Sequence, residues 1–288
     1  MPQSVTEIAR AKINLALHVL GRRSDGYHEL HSVVAFASIG DRLVITLSDE
    51  LSLTCSGMFG AEVPSDAENM ILKAWLHLDK LFAAKALALP KVSVALTKNL
   101  PVASGIGGGS ADAAAMLRGL LRLTHQTLSE TEVIALAKNL GADVPACFHE
   151  AACQMQGIGE IVTPLTIELP RAIVLINPLA VCSTPSVFTT LGLKPGQSHL
   201  APLELHSPSD WRNDMTQAAL ITQPIIAQVL TALKTEPAFS SVRMSGSGAT
   251  CFGLMSSMAQ ASAAAARLSV KNPGWWVRAA ELGGGGLR

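Results

Sequence analysis

The first third of the chain alternates between apolar and polar positions. In the segment INLALHVL, which begins at Ile13, every second side chain is apolar, the period of a β-strand. Asp25-Gly26 separates this segment from a second apolar run, HELHSVVAFASI, and predicts a hairpin turn. A further turn is predicted at Gly40-Asp41, ahead of RLVITL and LSLTC. The region is therefore predicted to be an antiparallel meander.

Helical spacing appears in the next third. Four large apolar residues recur every three or four positions within residues 67–84: Ile71, Trp75, Leu78 and Phe82. An alternating segment (KVSVALTKNL), a glycine-rich loop and an alanine-rich helix from about Ser110 follow. A capping box at Ser129 and Glu132 opens one more helix, which Gly141 closes.

The remainder mixes strands and helices without strict alternation. We expect strands in RAIVLINP and WWVRAA, helices in SVFTTLG, ITQPIIAQVLTALKT and QASAAAARLS, and a strand–glycine turn–strand in VRMSGSGATCFGLM. The final LGGGGLR is predicted to fray. This order indicates an α+β protein of two domains, residues 1–164 and 165–288.

Composition narrows the class of protein. The 288 residues are 49% hydrophobic and 15% charged, enough to bury a substantial core, and the formal net charge is zero. The neutral charge gives nucleic-acid binding little support, and the lack of a long apolar stretch argues against a membrane span. Five scattered cysteines without a CxxC pair argue against a disulfide framework or a cysteine zinc site. We expect a cytoplasmic protein.

The glycine loop PVASGIGGGSA is the strongest chemical signal. It lies between a predicted strand and a predicted helix, where backbone N–H groups and the helix dipole favour an anion. It is not a P-loop, which needs Gly-Lys-Ser/Thr, and it lacks the last glycine of a dinucleotide fingerprint. A phosphate cradle and a packed or flexible glycine turn are both compatible with the loop alone.

Two charged residues also admit two interpretations. Asp143, in the segment GADVP, is either a general base for proton transfer or the N-cap of a helix starting at Pro145. Lys12 is either a strand-end lysine or a cation that stabilises negative charge during a reaction. Asn14 follows Lys12 by two residues and shares its face of the strand.

Several segments together resemble one family. PVASGIGGGSADAA resembles the phosphate loop of the GHMP kinases, roughly P-x-x-x-G-L-G-S-S-A-A. AKINLALHVLGRRSDGYHEL, GADVP and MSGSGATCFG resemble, in turn, the N-terminus, the catalytic segment and the third glycine motif of those members whose acceptor carries a cytidine diphosphate. AENMILKA, STPSVF and RNDM fall at matching places, so the resemblance runs from about residue 9 to 254.

The resemblance implies a fold and a reaction. The fold would be a two-domain α+β GHMP kinase, with an N-terminal domain like domain 2 of ribosomal protein S5 and a ferredoxin-like C-terminal domain. The enzyme would use ATP and Mg²⁺ to phosphorylate the 2-hydroxyl of a cytidine-diphosphate-linked methylerythritol in isoprenoid biosynthesis. It would be a monomer or homodimer. The rival functions are another GHMP kinase, such as a homoserine or mevalonate kinase, and a non-enzymatic nucleotide sensor.

The resemblance also implies site residues. Lys12 and Asp143 would be catalytic, and Asn69 and Lys98 would line the adenine pocket. The ATP phosphates would contact one continuous loop: Pro101, Val102, Ala103, Ser104, Gly105, Ile106, Gly107, Gly108, Gly109, Ser110 and Ala111. The substrate would contact Asn14, Tyr27, His28, Thr184 and Phe188, with Tyr27 and Phe188 sandwiching the cytosine and His28 reading its edge.

The loop departs from the family pattern at a few positions. Ser104, Ile106, Ala111 and Asp112 replace more usual residues. Because backbone N–H groups bind the phosphates, the first three changes threaten little. Asp112 would place a negative charge in the first helical turn, close to the phosphates, where it also favours the helix dipole. No metal ligand is assigned, although the Ser110 hydroxyl is a candidate for a metal–phosphate contact.

Overall fold

We describe a computed structural model of the chain over residues 3–166, 168–199 and 211–283. The strands are β1 (Ser4–Arg22), β2 (His28–Leu47), β3 (Ser52–Ser56), β4 (Val92–Thr97), β5 (Cys153–Gly157), β6 (Ile161–Pro164), β7 (Ala172–Asn177), β8 (Ser241–Met244), β9 (Cys251–Met255) and β10 (Trp276–Glu281). The helices are α1 (Met70–Ala84), α2 (Gly108–Thr124), α3 (Glu130–Leu140), α4 (Val144–His149), α5 (Thr184–Leu191), α6 (Thr216–Thr222), α7 (Ile225–Lys234) and α8 (Met258–Lys271).

The chain forms two compact units that interleave along the sequence. The first unit contains the N-terminal segment to Ala11, Gly40–Val102 and Gly107–His149. The second contains Lys12–Ile39, Ala103–Ile106 and the chain from Glu150 onward. The two domains predicted from sequence, 1–164 and 165–288, stay a prediction.

The first unit packs helices on a short mixed sheet. The end of β2 pairs with β4 in antiparallel register, and β4 pairs with β3 in parallel register. Helix α2 contacts α1 and α4, and α3 contacts α1 and α4. A Cβ atom on Gly119 would come within 2.3 Å of Ile45 Cδ1, so a glycine here lets α2 lie close against β2. The apolar face predicted for α1 (Ile71, Trp75, Leu78 and Phe82) is buried, which confirms the periodicity.

The second unit contains an antiparallel sheet in the order β10-β7-β9-β8. With helices between β7 and β8 and between β9 and β10, the chain order is the ferredoxin-like β-α-β-β-α-β arrangement. Every residue of β7 is buried, because α8 contacts this strand and its neighbours. The start of β2 pairs with β5, and β5 pairs with β6, in the same unit. The ferredoxin-like topology expected for the C-terminal region is confirmed.

Most predicted boundaries are close to the observed ones. The hairpin at Asp25-Gly26 is present, with Gly26 at φ +91°. The capping box at Ser129 and Glu132 is present and Gly141 ends α3. The predicted frayed tail lies largely outside the described residues. In the described part of the chain, no helix is long and apolar enough to cross a membrane.

The turn predicted at Gly40-Asp41 was wrong. Strand β2 continues through both residues, and β3 pairs with β4, so the expected meander does not form. Gly40 is needed for a close approach, since a Cβ atom there would lie 2.2 Å from the Ala9 carbonyl oxygen. Asp41 is fully buried and accepts hydrogen bonds instead of opening a turn. A glycine–aspartate pair is thus compatible both with a turn and with a close internal contact, and the local sequence does not distinguish them.

The single helix predicted in ITQPIIAQVLTALKT was also wrong. Pro224 separates α6 from α7, because proline has no N–H to continue the helical ladder. The apolar residues after Pro224 form α7, and Ile226, Val229 and Leu233 are buried in the second unit. Helix α6, which begins well before the predicted segment, was missed.

Gly40→Ala should destabilise the protein, because the added methyl group overlaps the backbone of the neighbouring strand. We expect a loss of about 1–3 kcal/mol in the free energy of unfolding, measured by urea denaturation. Gly274→Ala is the matched control, since a Cβ atom there has nothing within 4 Å. Equal stability of the two variants would show that β1 and β2 can separate at Gly40 without cost.

Candidate active site

The glycine loop ends in a helix whose first N–H groups are not capped by a side chain. Gly107 is the N-cap of α2, with φ +67°, and it has no side chain to accept hydrogen bonds. The helix starts at Gly108, two residues before the predicted position. Its first-turn amides and the roughly half unit of positive charge at its N-terminus suit an anion such as phosphate. This helix start is compatible with the phosphate cradle, which stays a prediction.

The middle of the loop is held by the third glycine motif. The Ser245 hydroxyl donates to the Gly105 carbonyl oxygen (3.0 Å), and the Thr250 N–H donates to the Ser104 carbonyl oxygen (3.2 Å). Gly105 has φ +77°, and a Cβ atom on it would lie 2.5 Å from the Ser245 carbonyl oxygen. Ser104, Gly105 and Ser245 all belong to the second unit. The third glycine motif therefore packs beside the loop.

The backbone of Lys12 is bonded to the glycine loop, and the backbone of Asn14 is bonded to the third glycine motif. The Lys12 N–H donates to the Ile106 carbonyl oxygen (3.0 Å), and the Asn14 N–H donates to the Ser245 hydroxyl (3.1 Å). Asn14 Nδ2 donates to the Ser32 hydroxyl (2.7 Å), whereas Asn14 Oδ1 is buried without a hydrogen-bond partner among the described residues. Because a buried polar oxygen without a partner is costly, Asn14 Oδ1 is suited to accept a hydrogen bond from a ligand.

Asp143 lies at the start of α4. The Cys147 N–H donates to the Asp143 carbonyl oxygen (3.0 Å), so the residue occupies the helix-start position that the cap interpretation predicts. The same loop also approaches α2, since a Cβ atom on Gly141 would lie 3.8 Å from Ser110 Oγ. The half-buried Asp143 side chain therefore belongs to the loop beside the first turn of α2.

Arg118 holds α4 against α2, and sequence reasoning missed it. Its guanidinium donates to the carbonyl oxygens of Cys147 (2.7 Å) and Ile8 (2.9 Å) and to the Glu7 carboxylate (3.2 Å). Arg122, one turn later on α2, binds the same carboxylate. The only sequence signal was a pair of arginines four residues apart on a helix, which is usually a solvated face.

Lys98 is buried between two carboxylates. Its Nζ atom is 2.6 Å from Asp41 Oδ2 and 2.5 Å from Asp112 Oδ2, and the lysine side chain is 3% exposed. Burial opposes the charged form of Lys98, but the two carboxylates outweigh it and raise its pKa. Burial, with the Asp41 charge added, raises the pKa of Asp112 to about 7 despite Lys98.

The structure corrects the expected position of Asp112 and shows which contacts the Asn69 side chain makes. Asp112 is the fifth residue of α2 and points inward, so it does not lie in the first helical turn as expected. Asn69 is the N-cap of α1: its Oδ1 accepts from the Ile71 N–H (2.8 Å) and its Nδ2 donates to the Pro64 carbonyl oxygen (2.6 Å). Asn69 and Lys98 thus have structural roles, and their assignment to an adenine pocket stays a prediction.

The predicted base-recognition residues lie in the second unit. The rings of His28 and Phe188 are stacked, with centroids 4.2 Å apart, whereas Tyr27 is 60% exposed. Burial, and then the nearby Arg22, lower the pKa of His28, which favours the neutral ring. His28 Nε2 is buried and has no hydrogen-bond partner in the described part of the chain. A neutral imidazole with an unused nitrogen can bond to the edge of a nucleobase.

Thr184 connects the base-recognition region to the third glycine motif. Its hydroxyl is 2.7 Å from the Ser247 hydroxyl, and Thr184 is the first residue of α5, the helix that carries Phe188. The structure therefore brings together Thr184, Ser247 and the loop residues that Ser245 holds. It places Ser110, Lys98 and the Asp143 loop together in the first unit.

Comparison with known proteins places this geometry in a family. The model for the GHMP kinases N terminal domain matches residues 69–151, and the model for the GHMP kinases C terminal matches residues 200–273. The chain belongs to the GHMP kinase family.

Its relatives define a narrower group. The 4-diphosphocytidyl-2-C-methyl-D-erythritol kinase of Rhizobium etli (strain CIAT 652) is 48% identical, and that of Rhodopseudomonas palustris (strain BisB18) is 42% identical. Each alignment covers 98% of this chain and 96% of the relative. A crystal structure of 4-(cytidine 5'-diphospho)-2C-methyl-D-erythritol kinase has a TM-score of 0.79 at 31% identity, covering 98% of this chain and all of that one. Homoserine kinase from Cytophaga hutchinsonii shares the fold, with a TM-score of 0.67 at 17% identity.

Asp112 should make stability depend on pH. Its pKa in the folded protein is above the value of about 4 in an unfolded chain, so the folded state keeps a proton that the unfolded state releases. The Asp112 contribution is therefore fully present below about pH 4 and is lost as the pH rises towards 7. Asp112→Asn lacks this loss, so its stability relative to the parent should increase from pH 4.5 to 7.5. Urea denaturation of both proteins at several pH values measures the difference, and a constant difference would contradict the raised pKa.

Proposed function

We propose that this protein transfers the γ-phosphoryl group of ATP to the 2-hydroxyl of 4-diphosphocytidyl-2-C-methyl-D-erythritol, a step of non-mevalonate isoprenoid biosynthesis. Membership of the GHMP kinases supports the use of ATP. The observation that carries the choice of acceptor is the stacked pair of His28 and Phe188, next to the hydroxyl of Thr184. Homoserine and mevalonate have no nucleobase for such a pair to recognise.

The loop residues bind and orient the nucleotide. The first-turn amides of α2, beginning at Gly108, donate to phosphate oxygens, and the glycines allow close approach of the backbone. The whole segment from Pro101 to Ala111 is the proposed phosphate contact. The adenine is assigned to the surroundings of Asn69 and Lys98, where the Asn69 side chain fixes the local backbone. Catalysis then depends mainly on positioning and on charge stabilisation.

Asp143 and Lys12 serve the transfer itself. Asp143 accepts the proton of the substrate 2-hydroxyl. The hydroxyl oxygen then bonds to the γ-phosphorus, and the bond between that phosphorus and the leaving ADP oxygen breaks. Lys12 provides positive charge for the transferring phosphoryl group. Asn14 Oδ1 accepts a hydrogen bond from the substrate, which gives the buried oxygen its missing partner. The products are ADP and the 2-phosphate, with no phosphoenzyme.

Magnesium fits this site as an ion carried by the nucleotide. Among the described residues, no group of three or more His, Cys, Asp or Glu side chains is arranged to hold a metal ion. Mg²⁺ commonly binds phosphate oxygens and keeps several waters, and it would neutralise phosphate charge here. Ser110, in the first turn of α2, has the hydroxyl best suited to reach it.

The base is recognised by His28, Tyr27 and Phe188. Phe188 offers a ring face for stacking, and its position on α5 is fixed through Thr184. His28 supplies the hydrogen bond to the cytosine edge through Nε2. Tyr27, exposed at the hairpin, covers the base from the other side.

The direct test is ADP release by the purified protein with Mg-ATP and different acceptors. Turnover with 4-diphosphocytidyl-2-C-methyl-D-erythritol, and not with homoserine, mevalonate or buffer, is the expected result. Turnover with another acceptor would keep the kinase chemistry and overturn the base site. ATP binding without turnover on any acceptor would favour a nucleotide sensor.

Asp143→Asn should fold normally and lose most of its turnover. Asparagine is as good an N-cap as aspartate but does not accept the proton, so the variant separates the two roles of the residue. We expect kcat to fall by about 10²- to 10⁴-fold, with an unchanged Tm and ATP affinity. Near-normal kcat would reduce Asp143 to a helix cap.

Phe188→Leu should weaken binding of the acceptor and leave the nucleotide site unchanged. Base stacking on an aromatic ring contributes about 1–3 kcal/mol, so KM for the cytidylyl acceptor should rise roughly 5- to 150-fold. Inhibition by CDP should weaken in parallel, while KM for ATP stays the same. Equal weakening of CDP and ATP would indicate a general disturbance of the second unit.

A further inference from the structure

Lys98, Asp41 and Asp112 form a buried charge cluster around the loop that binds phosphate. Asp41 lies in β2, Lys98 follows β4 directly, and Asp112 lies in α2. Asp41 has a second function: its Oδ1 accepts hydrogen bonds from the N–H groups of Asn99 (2.6 Å) and Leu100 (2.8 Å). One carboxylate therefore fixes both the ammonium and the backbone that leads into the loop.

The Lys98 ammonium lies directly against the first residue of the phosphate helix. A Cβ atom on Gly108 would be 3.3 Å from Lys98 Nζ and 4.0 Å from Asp41 Oδ2. The next glycine, Gly109, has only an ordinary contact at 3.7 Å, with Met70 Cγ. Lys98 thus contacts α2 at Gly108 and binds it again at Asp112. The start of the helix is connected to the strand that precedes the loop.

The charges of the cluster do not balance. Two carboxylates surround one ammonium, and Asp112 Oδ1 is buried without a partner in the described residues. The Cys55 thiol on β3 is a further titratable group near the cluster, and burial followed by the Asp112 charge raises its pKa. Without Lys98, the cluster would leave two negative charges beneath the amides that receive the phosphates. Opposite charges attract strongly in a buried setting, and like charges repel.

We propose that Asp41 and Lys98 are positioning residues for phosphate binding and that Asp112 is the carboxylate whose charge Lys98 has to cancel. The cluster fixes the start of α2 relative to the end of β4, and Lys98 cancels carboxylate charge close to the phosphate-binding amides. Lys98 therefore acts on phosphate affinity through the helix. This inference rests on the proposed use of the loop for ATP.

The proposal separates the affinities for phosphate and for base. Lys98→Met should weaken the affinity for ADP and ATP by more than tenfold at pH 8. The affinity for adenosine, measured by competition, should change less than threefold. Adding Asp112→Asn should restore part of the ADP affinity, because it removes one of the two uncompensated charges. Asp112→Asn alone should bind ADP at least as tightly as the parent. Isothermal titration measures ADP and ATP, and competition assays measure adenosine.

Glu7→Gln provides the matched control. Glu7 is a buried carboxylate that binds α2 through Arg118 and Arg122, away from the loop. This variant loosens the same helix at its other end, so its ADP affinity should stay within twofold of the parent. An ADP loss as large as that of Lys98→Met would show a general effect of helix loosening and overturn the proposal.

Two other outcomes would also overturn it. Equal losses of adenosine and ADP affinity in Lys98→Met would make Lys98 an adenine contact, and no recovery in the double variant would exclude the charge effect. If Lys98→Met does not fold, the ADP affinity of Asp112→Asn tests the proposal on its own. A weaker ADP affinity in that variant than in the parent contradicts the proposal. Because these measurements use only nucleotides, they are independent of the acceptor assay. A protein that fails to use the cytidylyl acceptor can still confirm the role of the cluster.

Discussion

An anion site made of helix N–H groups requires a helix start that is not capped and yet does not move. Side-chain caps normally satisfy the first amides of a helix, but a cap at α2 would compete with phosphate. Gly107 leaves those amides available, and the stability that a cap provides must come from elsewhere. Here it comes from behind the helix, where Lys98 binds the second turn through Asp112 and contacts the first turn at Gly108.

The rest of the site follows the same constraint. Ser245 holds the loop at Gly105, and the same hydroxyl accepts the Asn14 N–H, so the loop and the predicted substrate strand share one anchor. Arg118, on α2, donates to the Cys147 carbonyl oxygen of the short helix α4. This bond fixes the position of Asp143, at the start of α4, relative to α2. Gly105, Asn14 and helix α4 are thus each fixed by hydrogen bonds that involve the backbone. Such preorganisation is what phosphoryl transfer needs, since it depends on position more than on covalent chemistry.

The sequence predicted elements well where a local signal has one meaning. The apolar spacing of α1, the capping box of α3 and the hairpin at Asp25-Gly26 each specify one backbone arrangement. The prediction failed where the signal has two meanings: Gly40-Asp41 has the composition of a turn, but it supplies a close strand contact and a buried carboxylate. The partners of Lys98 and Arg118 come from distant parts of the chain, so no local pattern reveals them. The candidate site residues were predicted from the resemblance alone, because Lys12, Asn14 and Asp143 are locally ordinary.

The interleaved course of the chain has a consequence for synthesis on the ribosome. The second unit uses residues near the N-terminus, yet β2 pairs at Val33 with Gln154 of β5, and Ala37 bridges to Leu282. Strands β1 and β2 are translated early, whereas β5 and Leu282, which pair with β2, are translated much later. Non-local pairing of this kind folds slowly and leaves apolar strand edges exposed in the meantime. The nascent chain should therefore need shielding of β1 and β2 until β5 and the segment around Leu282 have been translated.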